Sequence, residues 1–170
     1  SVFDNMYAKR LKTYKHIGFH LSSNGSLSKQ TANAIYDSGN YTDVFERDIV
    51  EAEKTIFVSC PELTWDKVKR FLFLVKTRQE AGCKVTVITK NPQNALYGSS
   101  EFVRELVKEM QKGGIFVILK DEVSEHFAVL DDELVWHGGM NLLGKEDAWD
   151  NLMRIKSAQV AAELLEIALK

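Results

Sequence analysis

Six residues between positions 124 and 141 have types suited to gripping an anion or attacking an electrophile: Ser124, His126, Asp131, Gly138, Gly139 and Asn141. A serine hydroxyl is a weak nucleophile unless a neighbouring base takes its proton. His126 lies two residues on, so on a strand it faces the same side as Ser124. Same-strand i, i+2 side chains run parallel, however, and geometry works against a Ser-His pair. A histidine donates a hydrogen bond to an anion, more strongly when protonated, although an ordinary pKa of about 6.5 leaves it mostly neutral at pH 7. Gly138-Gly139 followed by Asn141 suggests a turn whose backbone amides form an anion nest, with the Asn amide beside it. Asp131 is read as positioning its neighbours rather than reacting.

The same stretch also reads as an ordinary buried hairpin. Phe127 and Val129 alternate with His126, Ala128 and Leu130, and Asp131-Asp132 supplies a turn. His137, beside Trp136, is read as a structural hairpin residue, and nothing is assigned to His16 and His20. Lys90 and Asn91 end an apolar run at the kind of strand terminus where open α/β sheets bind ligands. Lys67, Lys69, Arg70, Lys76 and Arg78 form a basic helix face, ordinarily just solvent-facing charge.

The elements that must position these residues follow from periodicity. Residues 1–40 are expected to form an extended lead-in or linker. The segment "LSSNGSLSKQTANAIYDSGN" is rich in Ser, Asn and Gly, and "YKHIGFHL" is a candidate strand. From Tyr41, Val44, Phe45, Ile49 and Ala52 recur at helical spacing behind a Thr42 cap. "TIFVSCP" is a short strand ended by Pro61. "TWDKVKRFLFLVKTRQEAG" is an amphipathic helix capped at Thr64 or Asp66 and stopped by Gly82. "KVTVITK" and "IFVILK" are strands around the helix "SSEFVRELVKEMQKGG", and "SAQVAAELLEIALK" is a final helix capped at Ser157. Such alternation predicts an α/β domain over 41–170: a mainly parallel mixed sheet, helices on both faces, and a C-terminal β-hairpin plus helix.

Spacing adds a resemblance. Ser124, His126, Asp131, Gly138, Gly139 and Asn141 align with the phospholipase D superfamily signature H-x-K-x4-D-x6-G-[GS]-x-N. The Asp, both Gly and the Asn match. Ser124 stands at the family's histidine position, and His126 stands at its lysine position. The alternative register, with His126 as the family histidine, puts Ala128 at the lysine and Glu133 at the acid, and breaks the glycine spacing. "NYTDVFERDIVEAEKTIFVSCPEL" resembles the family's opening helix and first strand, and "RQEAGCKVTVITK" its second helix-strand step. The stretch Glu133 to Ala168 is similar to single modules appended to superfamily-two ATP-dependent helicases and restriction-type ATPases.

The resemblance implies a phospholipase D-like sandwich. It also implies chemistry through a phosphohistidine, with a second histidine protonating the leaving oxygen and Lys and Asn holding phosphate oxygens. Replacement of the nucleophile and the lysine shifts the expectation from catalysis toward binding.

Bulk properties narrow the function. The chain has 170 residues, 45% hydrophobic and 27% charged, which suits one globular core. A net charge of −2 excludes strong free-standing attraction to nucleic acid or anionic membrane, though not a local basic face. Cys60 and Cys83 fall in apolar runs, and no Cys/His pair has structural-zinc spacing, so no metal or cofactor is expected. No secretory leader or membrane-length apolar stretch is visible, which fits a cytoplasmic protein with no membrane partner. The first residue is Ser rather than Met, and there is no G-x-x-x-x-G-K-[ST] loop, so a helicase or ATPase partner region is expected elsewhere in a longer parent.

Three functions remain in competition. The first is a degenerate module binding nucleic-acid backbone, DNA foremost, through His126, Asn141, Gly138 and Gly139. The second is a metal-independent phosphodiesterase or nuclease working as a homodimer around paired His126. The third is a dimerisation scaffold with an empty ancestral cleft.

Overall fold

The computed structural model describes residues 34–94, 100–146 and 149–170; the candidate strand "YKHIGFHL" lies outside them. Residues Ile35–Lys170 form one compact unit. Along the chain come β1 (Ala34–Asp37), α1 (Thr42–Glu51), β2 (Thr55–Ser59), α2 (Trp65–Glu80), β3 (Lys84–Lys90) and α3 (Ser100–Lys112). They are followed by β4 (Phe116–Lys120), β5 (Phe127–Leu130), β6 (Leu134–Gly138), β7 (Asn151–Lys156) and α4 (Ala158–Leu169). The strands make a seven-stranded sheet in the order β1-β7-β6-β5-β2-β3-β4.

The α/β class and the two-faced helix cover are as expected, but the sheet is not mainly parallel. β2/β3 and β3/β4 pair parallel, whereas β2/β5, β5/β6 and β6/β7 are antiparallel. The physical reason is connection length. Helices α2 and α3 return the chain to the starting edge, as parallel pairing requires, whereas a turn at Asp131-Asp132 can only reverse it. Two strands went unread: β1, inside the stretch expected as lead-in, and β7, "NLMRIK", whose charged residues masked its alternation.

Alternation sorts the sheet residues onto two faces. Phe127, Val129, Val135 and Ile88 pack against Ala161, Leu164 and Ala168 of α4. The other face carries Ile56, Val58, Val87, Ala128 and Trp136, all buried. There Trp136 meets the Phe45 ring of α1 edge-on, with centroids 5.4 Å apart, and its Nε1 donates to Asp48 at 2.8 Å. Arg154 of β7 completes a buried ion pair by donating to the same carboxylate at 2.7 and 3.0 Å. Burial alone lowers the Arg154 pKa, and the Asp48 carboxylate more than offsets it.

Helix starts follow the sequence unevenly. Ser157 Oγ accepts the Val160 N–H at 3.1 Å, a true side-chain cap for α4. Thr64 holds the N-cap position of α2 without a side-chain bond. Thr42 is already inside α1, whose N-cap is Tyr41.

Candidate phosphate-binding site

Strand register assembles the site. Ser59 of β2 faces Ile88 of β3 on one side and Phe127 of β5 on the other. One step further along, Thr89, Cys60 and His126 come into one cross-sheet row. Cys60 N–H donates to Ile88 O at 3.0 Å, and Gly138 N–H donates to His126 O at 3.2 Å. By alternation these three side chains share the face of Val87, Val58 and Ala128.

Two atoms in this row are unusual. Among the described residues, Thr89 Oγ1 and His126 Nδ1 are buried with no hydrogen-bond partner. Buried polar groups in native proteins are nearly always satisfied, and leaving one unpaired costs about 1–3 kcal/mol. Thr89 and His126 leave two such atoms in one row; a third, Arg78 Nε, belongs to α2. Between Thr89 and His126 lies the Cys60 thiol, fully buried and pushed up to about 12 by that burial. It is therefore a neutral donor, not a nucleophile. Its Sγ donates to Glu62 O at 2.9 Å and reaches Asn141 Oδ1 at 3.6 Å. The one thiol proton goes to the nearer Glu62 O, so Asn141 Oδ1 is a close neighbour of Cys60, and the Asn141 NH2 is a donor pair.

The loop bearing Asn141 is anchored on both sides of that residue. Met140, Leu142 and Leu143 are buried, and Leu143 O accepts the Thr64 N–H at 2.9 Å, tying the loop to the start of α2. The Gly-Gly pair has a reason other than the expected nest. Neither glycine has the positive φ that a nest requires, and the Gly138 N–H is already bonded in the ladder. Instead, a Cβ at Gly138 would stand 2.0 Å from Asn151 O, and one at Gly139 2.6 Å from Asp150 Oδ1. Both are glycine because β6 and its following loop run hard against the start of β7.

The remaining candidates stand apart from the row. Ser124 is exposed in the coil before β5, and the buried Nδ1 of His126 takes no proton from it. Asp131 lies five residues from His126, roughly 16 Å at strand rise. Its Oδ1 accepts the N–H groups of Lys54, Glu53 and Thr55 at 2.6, 3.1 and 3.1 Å. Burial raises its pKa, and these backbone donors more than reverse that, holding it below the ordinary carboxylate value. With φ of 53° at Asp131 and 58° at Asp132, both are left-handed, and the Glu133 N–H donates to Leu130 O at 3.1 Å to close the turn. Asp131 clamps that turn to the start of β2.

His137 is on the opposite face, its Nε2 3.6 Å from Glu125 Oε2. Asn91 braces the turn after β3, accepting the Gln93 N–H at 3.2 Å. The basic face is partly committed elsewhere: Lys67 is bonded to Glu146 and Tyr41, and Arg70 grips Glu46. Sequence reasoning missed Thr89 and Cys60, since only the cross-strand register brings them beside His126. Among the described residues, no group of three or more His, Cys, Asp or Glu could hold a metal ion, and no helix is long and apolar enough to cross a membrane.

No family model and no curated protein matches the sequence. Solved structures do match. Nuc from Salmonella typhimurium, a phospholipase D family member, superposes with a TM-score of 0.65 at 14% identity over 81% of this chain and 91% of that one. The fold is phospholipase D-like. NucT from Helicobacter pylori gives 0.59 at 14% identity, covering 81% of this chain and 92% of its own. TrmBL2, an archaeal chromatin protein with a novel mode of DNA binding, gives 0.56 at 14% identity over 97% of this chain and 60% of its own.

Proposed function

We propose that this phospholipase D-like domain binds the phosphate backbone of nucleic acid, with His126, Thr89 and Asn141 as the donors that meet a phosphate oxygen. The observation that carries the reading is the pair of unpartnered polar atoms at Thr89 and His126, in a row whose middle residue, Cys60, has its Sγ 3.6 Å from Asn141 Oδ1. Hydrogen bonds to a charged oxygen are worth more than neutral ones, about 1.5–3 kcal/mol each. DNA as the ligand is supported by the likeness to TrmBL2, a DNA-binding chromatin protein. The similarity of Glu133 to Ala168 to helicase-appended modules supports a place beside an ATP-dependent motor in a longer protein.

Binding is favoured over turnover by the residues themselves. A phosphohistidine mechanism needs a free imidazole in line with phosphorus and an opposed acid. Here the family's histidine position holds Ser124, exposed and without a base. A second reading is a metal-independent phosphodiesterase assembled as a homodimer that pairs two copies of His126. It is supported by the coverage of more than nine-tenths of the Nuc and NucT chains, each no larger than one such module.

Fluorescence anisotropy of a labelled DNA oligonucleotide separates the readings. The binding reading expects a shift with intact DNA, weakened about tenfold or more by His126→Ala and by Asn141→Ala. Cleavage that survives a chelator and is lost in His126→Ala would establish the dimeric enzyme instead. DNA binding untouched by both substitutions would remove the site.

A further inference from the structure

The outer face of α2 carries two aromatic rings that the core does not use: Trp65, 38% exposed, and Phe73, 70% exposed. With Lys69 between them they occupy positions i, i+4 and i+8, one continuous ridge of the helix. The Lys69 ammonium stands 4.6 Å from the Trp65 ring centre, and the Arg70 guanidinium 5.5 Å from that of Phe73. Lys76, one turn beyond Phe73, is also exposed. Glu46 offsets the charge of Arg70, and Asp66 stands at the helix start, so Lys69 and Lys76 are the cations left for a ligand. Neither lysine is in an ion pair among the described residues.

We infer that this ridge is a single-strand track: exposed bases stack on Trp65 and Phe73 while Lys69 and Lys76 meet the phosphates between them. The inference rests on the proposed phosphate site and gives it a substrate class. Three features favour this occupant over a protein partner. Alternation of flat rings with cations matches the base-phosphate alternation of a strand, and base-aromatic stacking is worth about 1–3 kcal/mol per base. The rings are separated by about 12 Å along the helix, too far to stack on one base and suited to two non-adjacent ones. The ridge is also continuous with the site, because Thr64, next to Trp65, bonds the loop that holds Asn141. A duplex fits poorly, since its bases, about 3.4 Å apart in each strand, bury their faces against one another.

The test compares a fluorescein-labelled oligothymidylate with a duplex of equal length, using the full chain. Trp65→Ala/Phe73→Ala is expected to weaken single-strand binding about tenfold or more, with an unchanged circular dichroism spectrum and little effect on the duplex. Lys69→Ala/Lys76→Ala is expected to flatten the single-strand salt slope by about 1.4, two phosphates' worth. Unchanged single-strand affinity in the aromatic variant, or equal losses for strand and duplex, overturns the track. If His126→Ala abolishes binding while the aromatic variant keeps it, the site stands and the track falls. If only the aromatic variant loses binding, the track stands and the site falls.

Discussion

The carboxylate of Asp131 accepts the backbone N–H of Lys54 at 2.6 Å, joining two points 77 residues apart in the chain. With the N–H groups of Glu53 and Thr55 it forms a fixed pocket of donors for one negative charge. Asp131→Asn preserves the shape and tolerates the left-handed backbone, but removes the charge and turns an NH2 toward a donor. We expect a stability loss of about 1–3 kcal/mol at pH 7 in urea denaturation.

The pH dependence of that loss has a fixed sign. The folded pKa of Asp131 lies below its unfolded value of about 3.9, so its contribution is complete above that value. It fades as pH falls through the depressed folded pKa. Wild type and Asp131→Asn should therefore converge in stability as pH falls through that depressed folded pKa, and differ by a constant amount above about pH 5. A difference that grows between pH 6 and 8 would point to another group.

Gly138 limits how closely β6 can pass β7. Gly138→Ala places a methyl against Asn151 O, a backbone atom that cannot rotate away. We expect at least about 1–3 kcal/mol of destabilisation, the ordinary cost of overpacking. Hydrogen exchange should show faster amide exchange in β7 than in β2 and β3. Uniform protection across all strands would mean that the sheet absorbs the methyl.

How much of this was legible in the sequence depends on the range of each interaction. The elements from α1 to β5 were readable because their signals are local: Val44 and Ile49 on one helix face, Pro61 and Gly82 as stops. Strand direction was not, since it depends on whether a helix or a turn joins two strands. Strand β7 was hidden because Arg154, a charge in a linear reading, is buried against Asp48. The motif spacing singles out Asp131, Gly138 and Asn141, yet the partners of Asp131 lie 76 to 78 residues away. Thr89 and Cys60 carry no motif, and they join His126 only through the register of three strands.

Salt dependence tests how many charges the binding uses. With a net charge of −2 and Lys67 and Arg70 of α2 already paired, the outer face of that helix offers few cations to the backbone. The affinity for a labelled single strand should fall with a log-log slope of about −1.5 to −3, two to four phosphates' worth. A slope near −7, as for ten phosphates, would call for a much larger basic surface than α2 offers.

In the proposed function a phosphate oxygen is received by the Thr89–His126 row and the loop residue Asn141. This claim is tested most directly by NMR of the imidazole-labelled protein during titration with a thymidine dinucleotide. Saturable shifts of the His126 ring resonances are expected, with little movement of His137 on the opposite face of the sheet, and loss of saturation in Asn141→Ala. Shifts confined to His137, or a His126 ring indifferent to the dinucleotide, would contradict it.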